Sequence, residues 1–178
     1  TLCIFFNACH NSNTAPQLQL ADSLIDKRAD SALCILEKLS IEEISNKSAK
    51  AMYALLLTEA LDKNFKSHRN DSLILIAVDY YKDNSNNKLK TKAYYLGRVY
   101  QDNKEYIKAT EAYLTALKTA SPNQAPILQI YNNLALCYES QEFYLPAIKT
   151  YKESYATAEK MQDKYGILHA TRGLGNVY

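Results

Sequence analysis

Two arginines and three asparagines of this sequence have side chains whose chemistry would suit recognition. Arg98 and Arg172 can each grip a carboxylate through two parallel N–H bonds, and Asn132, Asn133 and Asn176 can meet a peptide backbone with a donor and an acceptor on one amide. Catalytic chemistry has no comparable set. His10 falls in a polar tail, His68 in a predicted loop and His169 at a predicted helix start, and none has a nucleophile or carboxylate at a recognisable spacing. Gly173-Leu-Gly175 lies inside a helical pattern and is not a phosphate loop after a strand. Cys3, Cys9, Cys34 and Cys137 are too scattered, and too far from histidine, to ligate a metal. Cys34 and Cys137 read instead as buried thiols on apolar helix faces. No catalytic residue, metal site or cofactor is expected.

Composition narrows the elements that could position these side chains. With 47% hydrophobic residues in 178, the chain can bury a substantial core, and 4 Gly and 4 Pro are too few for the turns of an all-β fold. A net charge of +2 gives no broad electrostatic footprint for nucleic acid. No run of 18 apolar residues is present to span a membrane as a helix.

The periodicity is helical and it repeats. Leu96, Gly97 and Tyr100 stand at i, i+1 and i+4 on one helix face, and Ala109 and Tyr113 share a face of the next helix. The same skeleton returns as Leu134, Ala135 and Tyr138 with Ala147 and Tyr151, and begins again at Leu174, Gly175 and Tyr178. A small residue at Gly97 or Ala135 lets the second helix come close, with Tyr100 or Tyr138 filling the space beside the contact. Two degenerate copies precede these. Leu20-Ala21 pairs with Ala32 and Leu36, the second helix having Asp30-Ser31 as its expected N-cap, and Tyr53, Leu56, Leu57 and Ala60 pair with Ala77 and Tyr81. Successive small-residue positions are 36, 40, 38 and 40 residues apart (Ala21, Leu57, Gly97, Ala135, Gly175). Gly97 to Ala109 and Ala135 to Ala147 are 12 each, so the surplus over a shorter repeat falls between hairpins, as at Asp83 to Asn87 and Ala120 to Pro126. Glu105 and Glu142 are expected to open second helices, and Pro146 to lie in a first turn or a kink.

This pattern resembles the tetratricopeptide repeat, whose motif runs aromatic-x2-Leu-Gly-x2-Tyr, then Ala-x3-Phe, then Pro, here supplied by Pro122. The resemblance implies an all-α fold: a right-handed α-solenoid of stacked antiparallel helical hairpins with a period of about 36–40. The units would be a segment 1–16, then one repeat domain 17–178 divided at 17–44, 45–87, 88–123, 124–163 and an incomplete 164–178. In that family the first helix of each hairpin lines a concave groove that holds a peptide or a partner helix. Carried over by motif, the groove residues are Tyr94, Arg98 and Gln101, then Gln129, Asn132, Asn133 and Leu136, then His169, Arg172 and Asn176. Arg98, Asn132, Asn133, Arg172 and Asn176 are similar to the basic and asparagine set with which some members hold a C-terminal carboxylate. Tyr94 and Asn132 depart from it, standing where such a clamp has Lys.

The N-terminus adds a second resemblance. Apolar residues 1–6, then Ala8 and Cys9, are similar to the end of a bacterial lipoprotein signal, with Cys9 the residue that would be lipidated and a polar stretch to Pro16 as tether. Phe6 and Asn7 depart from that motif. Asp30 to Glu37, Tyr53 to Lys63, Asp79 to Tyr81 and Ala93 to Gly97 resemble tetratricopeptide lipoproteins and membrane sensors of gut Bacteroidetes. Three readings follow. The chain is a protein-binding scaffold, lipid-anchored in the cell envelope; or the sensor array of a membrane-bound regulator with its effector beyond Tyr178; or a cytoplasmic scaffold. In each the partner is a protein or peptide in the groove, no nucleic acid binds this segment, and any membrane contact runs through a lipid on Cys9.

Overall fold

A computed structural model describes residues 14–68, 71–81, 88–120 and 126–177. Among them lie nine helices and no strand: α1 (Thr14–Leu24), α2 (Ala29–Leu36), α3 (Lys47–Lys63), α4 (Ser72–Tyr81), α5 (Lys88–Asp102), α6 (Tyr106–Thr119), α7 (Pro126–Ser140), α8 (Tyr144–Met161) and α9 (Lys164–Val177). Each helix packs on the next in sequence. In addition α1 meets α3, α3 meets α5, α5 meets α7 and α7 meets α9, whereas no even-numbered helix meets another among the described residues. The odd helices therefore form a continuous inner wall and the even helices fan outward, which is how stacked hairpins curve.

The core is segmented to match. One apolar cluster joins α1, α2 and α3 around Leu18, Leu36 and Leu56, and a second joins α3, α4 and α5 around Leu55, Ile74 and Val99. A third joins α5, α6 and α7 around Tyr113, Ala116 and Leu134, and a fourth sits between α7 and α8 at Ile127, Leu128 and Ala158 with Ile167 of α9 against it. Each hairpin thus buries its apolar face against its neighbours, and no single layer holds the whole molecule. A surface tie reinforces the first junction, where Lys63 Nζ lies 2.6 Å from Asp26 Oδ1 and 3.0 Å from Glu59 Oε1.

The hairpin turns share one device. Phe65, Lys104 and Glu142 each take a left-handed backbone (φ 55°, 62° and 60°), and the N–H after each donates back five residues, from Lys66 to Leu61, Glu105 to Tyr100 and Phe143 to Tyr138. Gln162 (φ 54°) and Asp163 close α8 in the same way onto Ala158. This is the Schellman ending of a helix, which ordinarily uses glycine. Here it is built from Phe, Lys, Glu and Gln.

Several expectations change. Asp30 lies inside the first turn of α2, and Arg28 precedes the helix without a side-chain cap, whereas Asn46 Oδ1 does cap α3 by accepting from Ala49 N at 3.1 Å. Cys137 is buried but Cys34 is exposed, because short α2 turns just Ala32, Leu33 and Leu36 inward. Leu20 is also exposed and Ala21 takes the core position beside Leu18. Pro16 is helical in the first turn of α1, where a missing N–H leaves no bond unmade. Pro146 stands in the first turn of α8, as expected. Glu142 belongs to the left-handed turn and does not open a helix, and His169 lies in the middle of α9. Cys3, Cys9, His10, Pro122, Tyr178 and the linker 83–87 lie outside the described residues.

Candidate functional site

The ten groove residues expected from the motif all fall on the inner helices α5, α7 and α9, and the structure divides them into two groups. The α5 group is engaged within the protein. Arg98 Nε donates to Asp62 Oδ1 of α3 at 2.6 Å, and Nη1 donates to Gln101 Oε1 at 3.3 Å. Gln101 Oε1 also accepts from the Tyr113 hydroxyl of α6 at 2.7 Å, and Asn133 Nδ2 of α7 donates to the Tyr94 hydroxyl at 3.2 Å. The Tyr94 and Tyr113 rings are 6.0 Å apart. Burial raises the Tyr94 phenol to about 12 and pushes that of Tyr113 up still further, so both rings are locked in the neutral form.

This network runs on into the α3–α4 loop. Asp102 Oδ1 lies 3.6 Å from Arg98 Nη2, and its Oδ2 accepts from the His68 backbone N–H at 3.2 Å and faces Nδ1 of the buried His68 ring at 2.7 Å. The other ring nitrogen, Nε2, is 3.2 Å from the Thr58 carbonyl. Arg98 is thus a tie between repeats, with one acid before it in the stack and one beneath it. Its pairing with Asp62 was hidden in the sequence, since 36 positions separate them.

The second group is brought together around open space. A pocket of about 230 Å³ lies between α7 and α9, with Asn132 and Leu136 on one wall and His169, Arg172 and Asn176 on the other. Tyr151 of α8 and Gly173 form its floor. Asn132 Oδ1 accepts from Ser154 Oγ at 3.0 Å, so its amide N–H groups are what it offers to the pocket. Arg172, His169 and Asn176 are exposed at the rim and Leu136 is 41% exposed. Gln129 is exposed on α7 outside the pocket.

Glycine shapes the floor. A Cβ at Gly173 would stand 2.3 Å from Tyr151 Cε1, so the ring lies directly against that backbone. Gly97 does the same for Tyr113, at 2.5 Å. Gly175, the motif equivalent of Gly97, meets nothing within 4 Å. A partner 16 positions on, as Tyr113 is from Gly97, would fall past position 178, and the close contact of Gly173 is a different one, made to the preceding helix. At the intervening repeat Ala135 already carries a Cβ, and the Tyr151 ring finds its glycine on the following helix instead. The Tyr151 phenol is raised by burial and by the Glu139 carboxylate it faces, and Glu139 Oε1 is buried without a partner.

Among the described residues no group of three or more His, Cys, Asp or Glu is placed to hold a metal ion, and no helix is long and apolar enough to cross a membrane.

Residues 90–160 match the model of the tetratricopeptide repeat family, a span covering α5 to α8 and no more. Two solved structures share the fold. The TPR-like repeats of a Podosopora anserina chain described as a kinesin light chain superpose with a TM-score of 0.67 at 17% identity, over 95% of this chain and 87% of that one. The Q17M form of those repeats gives 0.68 at 16% identity, over 93% and 85%. No curated protein matches the chain. The fold is thus an all-α solenoid of TPR-like repeats extending well beyond the span that the family model matches.

Proposed function

We propose that this chain is a non-enzymatic scaffold that holds a peptide segment of a protein partner on its inner wall, chiefly between α7 and α9. The observation that carries the reading is the pocket itself. Five side chains from two helices, 33 or more positions apart across the wall, converge on open space with amide, guanidinium and imidazole groups at the rim. Polar groups of that kind fix the direction of an extended backbone, and Arg172 can receive a carboxylate. Arg98 is not part of this site, because its donors already serve Asp62 and Gln101.

The test is selection of peptides from a random library on the intact chain, followed by affinity measurement against variants. R172A combined with N176A is expected to weaken selected peptides at least tenfold, about 1.4 kcal/mol. A substitution on the outer face, such as Glu153→Ala on α8, is expected to leave them unchanged. Equal losses from both variants, or losses only from the outer one, would refute the inner wall as the binding surface. Lipid attachment at Cys9 rests on the Ala8-Cys9 sequence, and expression with its full leader and a labelled fatty acid would show it as label that Cys9→Ser abolishes.

A further inference from the structure

Equivalent motif positions beside the floor tyrosine are filled in one repeat and leave a pocket in the next. Under the step of 38 residues, Tyr94 corresponds to Asn132, Arg98 to Leu136, Gln101 to Glu139 and Tyr113 to Tyr151. The structure supports that register, since Tyr113 bonds to Gln101 and Tyr151 faces Glu139, each pair spanning 12 positions. Under the following step of 40, Asn133 corresponds to Gly173.

In the earlier repeat the space against the floor tyrosine is occupied. The Tyr94 ring packs toward Tyr113, and its hydroxyl is held by Asn133 reaching over from the next inner helix. In the later repeat all three surrounding side chains are smaller: Asn132 for Tyr94, Leu136 for Arg98 and Gly173 for Asn133. What remains is the pocket of about 230 Å³, walled by Leu136 and the Tyr151 ring and rimmed by donors from Arg172, Asn176 and Asn132.

We infer that this pocket is a seat for an aromatic side chain of the bound peptide, its ring lying against Tyr151 as Tyr94 lies against Tyr113. The protein carries its own template for the occupant. A flat ring fits the tilted packing that the Tyr94–Tyr113 pair displays, and aromatic pairs of this kind add attraction beyond the area they bury. A phenol is favoured over a plain ring, because the rim supplies donors for its oxygen where Asn133 supplies one for Tyr94. Aliphatic side chains could enter, but they would leave those donors with nothing but water. The inference rests on the inner wall being the peptide-binding surface and adds the chemistry of the residue it reads.

The probes are N-acetyltyrosinamide and N-acetylleucinamide, titrated into the isotopically labelled chain and followed by amide shifts of Gly173 and its neighbours. The tyrosine probe is expected to shift these saturably and to bind at least tenfold more tightly than the leucine probe. N132Y, which puts a tyrosine at the position equivalent to Tyr94, is expected to abolish the shifts while helix content stays native. If N132Y unfolds, L136W fills the slot from the other side of the same wall and carries the same expectation. Equal response to both probes, absence of saturable shifts, or unchanged tyrosine binding in a folded filled variant would overturn the aromatic seat. Such a failure, with selected peptides still sensitive to R172A and N176A, would leave the groove reading standing, and loss of both would end the two together.

Discussion

Gly97 and Gly175 occupy the same motif position, yet replacing each with alanine is expected to change stability in opposite directions. Alanine is favoured over glycine within a helix by about 1 kcal/mol, and at Gly175 nothing stands within 4 Å to oppose it. Because Gly175 lies near the end of α9, G175A is expected to stabilise by about 0.5 kcal/mol. At Gly97 the added Cβ would sit 2.5, 2.7 and 2.9 Å from three atoms of the Tyr113 ring. That ring is fully buried, packed toward Tyr94 and anchored through its hydroxyl to Gln101, so it has no direction in which to yield. Overpacking of this kind costs about 1–3 kcal/mol, and losing the Tyr113–Gln101 bond costs about 1 kcal/mol more. After subtracting the helix gain, G97A is expected to destabilise by about 1–3 kcal/mol. Thermal unfolding followed at the helix band should show its midpoint lowered by about 3–10 °C, against a rise of about 1–2 °C for G175A. Combining G97A with Tyr113→Leu should shrink the cost of the alanine, since the atoms it strikes are gone. A G97A chain at least as stable as the parent, or a cost unchanged in the Tyr113→Leu background, would refute the contact as the reason for glycine.

The left-handed turn residues give a second prediction. Lys104→Gly should stabilise by about 1 kcal/mol in denaturant unfolding, because the helix ending there demands a backbone that L side chains adopt at a cost, and a loss instead would show that the Lys104 side chain matters more than its φ of 62°. Arg98→Ala should destabilise by about 3 kcal/mol, since it strands the Asp62 carboxylate, which is only 13% exposed, whereas the pair Arg98→Met with Asp62→Leu should recover much of the loss. Comparable melting of the single and double variants would exclude the buried pair as the cause. Alkaline unfolding is the fourth. Tyr94, Tyr95, Tyr113 and Tyr151 all have phenols raised by burial, so their contribution is complete below the free value near 10 and is lost as pH rises through the folded values. Phenolate absorbance from these rings should therefore appear together with loss of helix above about pH 10, and full phenolate formation in a chain that keeps its helices would contradict their burial.

The repeat was legible because it rests on residue size and spacing. Ala109, Ala147, Tyr113 and Tyr151 are buried where the pattern puts them, while Leu96 and Tyr100 are only partly so. Side-chain pairing across the stack was not legible. Nothing in the spacing of Arg98 and Asp62 distinguishes a tie from a ligand contact, and that difference moved Arg98 out of the candidate site while Arg172 stayed in it. The turns were obscure for a different reason. Their backbone is that of a glycine turn, but the residues present are Phe65, Lys104 and Glu142, so composition gave no mark of where hairpins close.

The two halves of the inner wall differ because one repeat satisfies its own polar groups and the next does not. Around α5, three pairs of polar groups join neighbouring helices: Asp62 with Arg98, Gln101 with Tyr113, Asn133 with Tyr94. Such a closed network stiffens the junction, and any ligand would have to break it before gaining contacts of its own. Between α7 and α9 the same scaffold positions carry smaller residues, and the polar groups at the rim face solvent. The α3–α5–α7 junction is thus bonded within itself, whereas the α7–α9 junction, with Tyr151 packed on Gly173, leaves its rim donors open to water, so a ligand there would displace water without first breaking bonds of the fold.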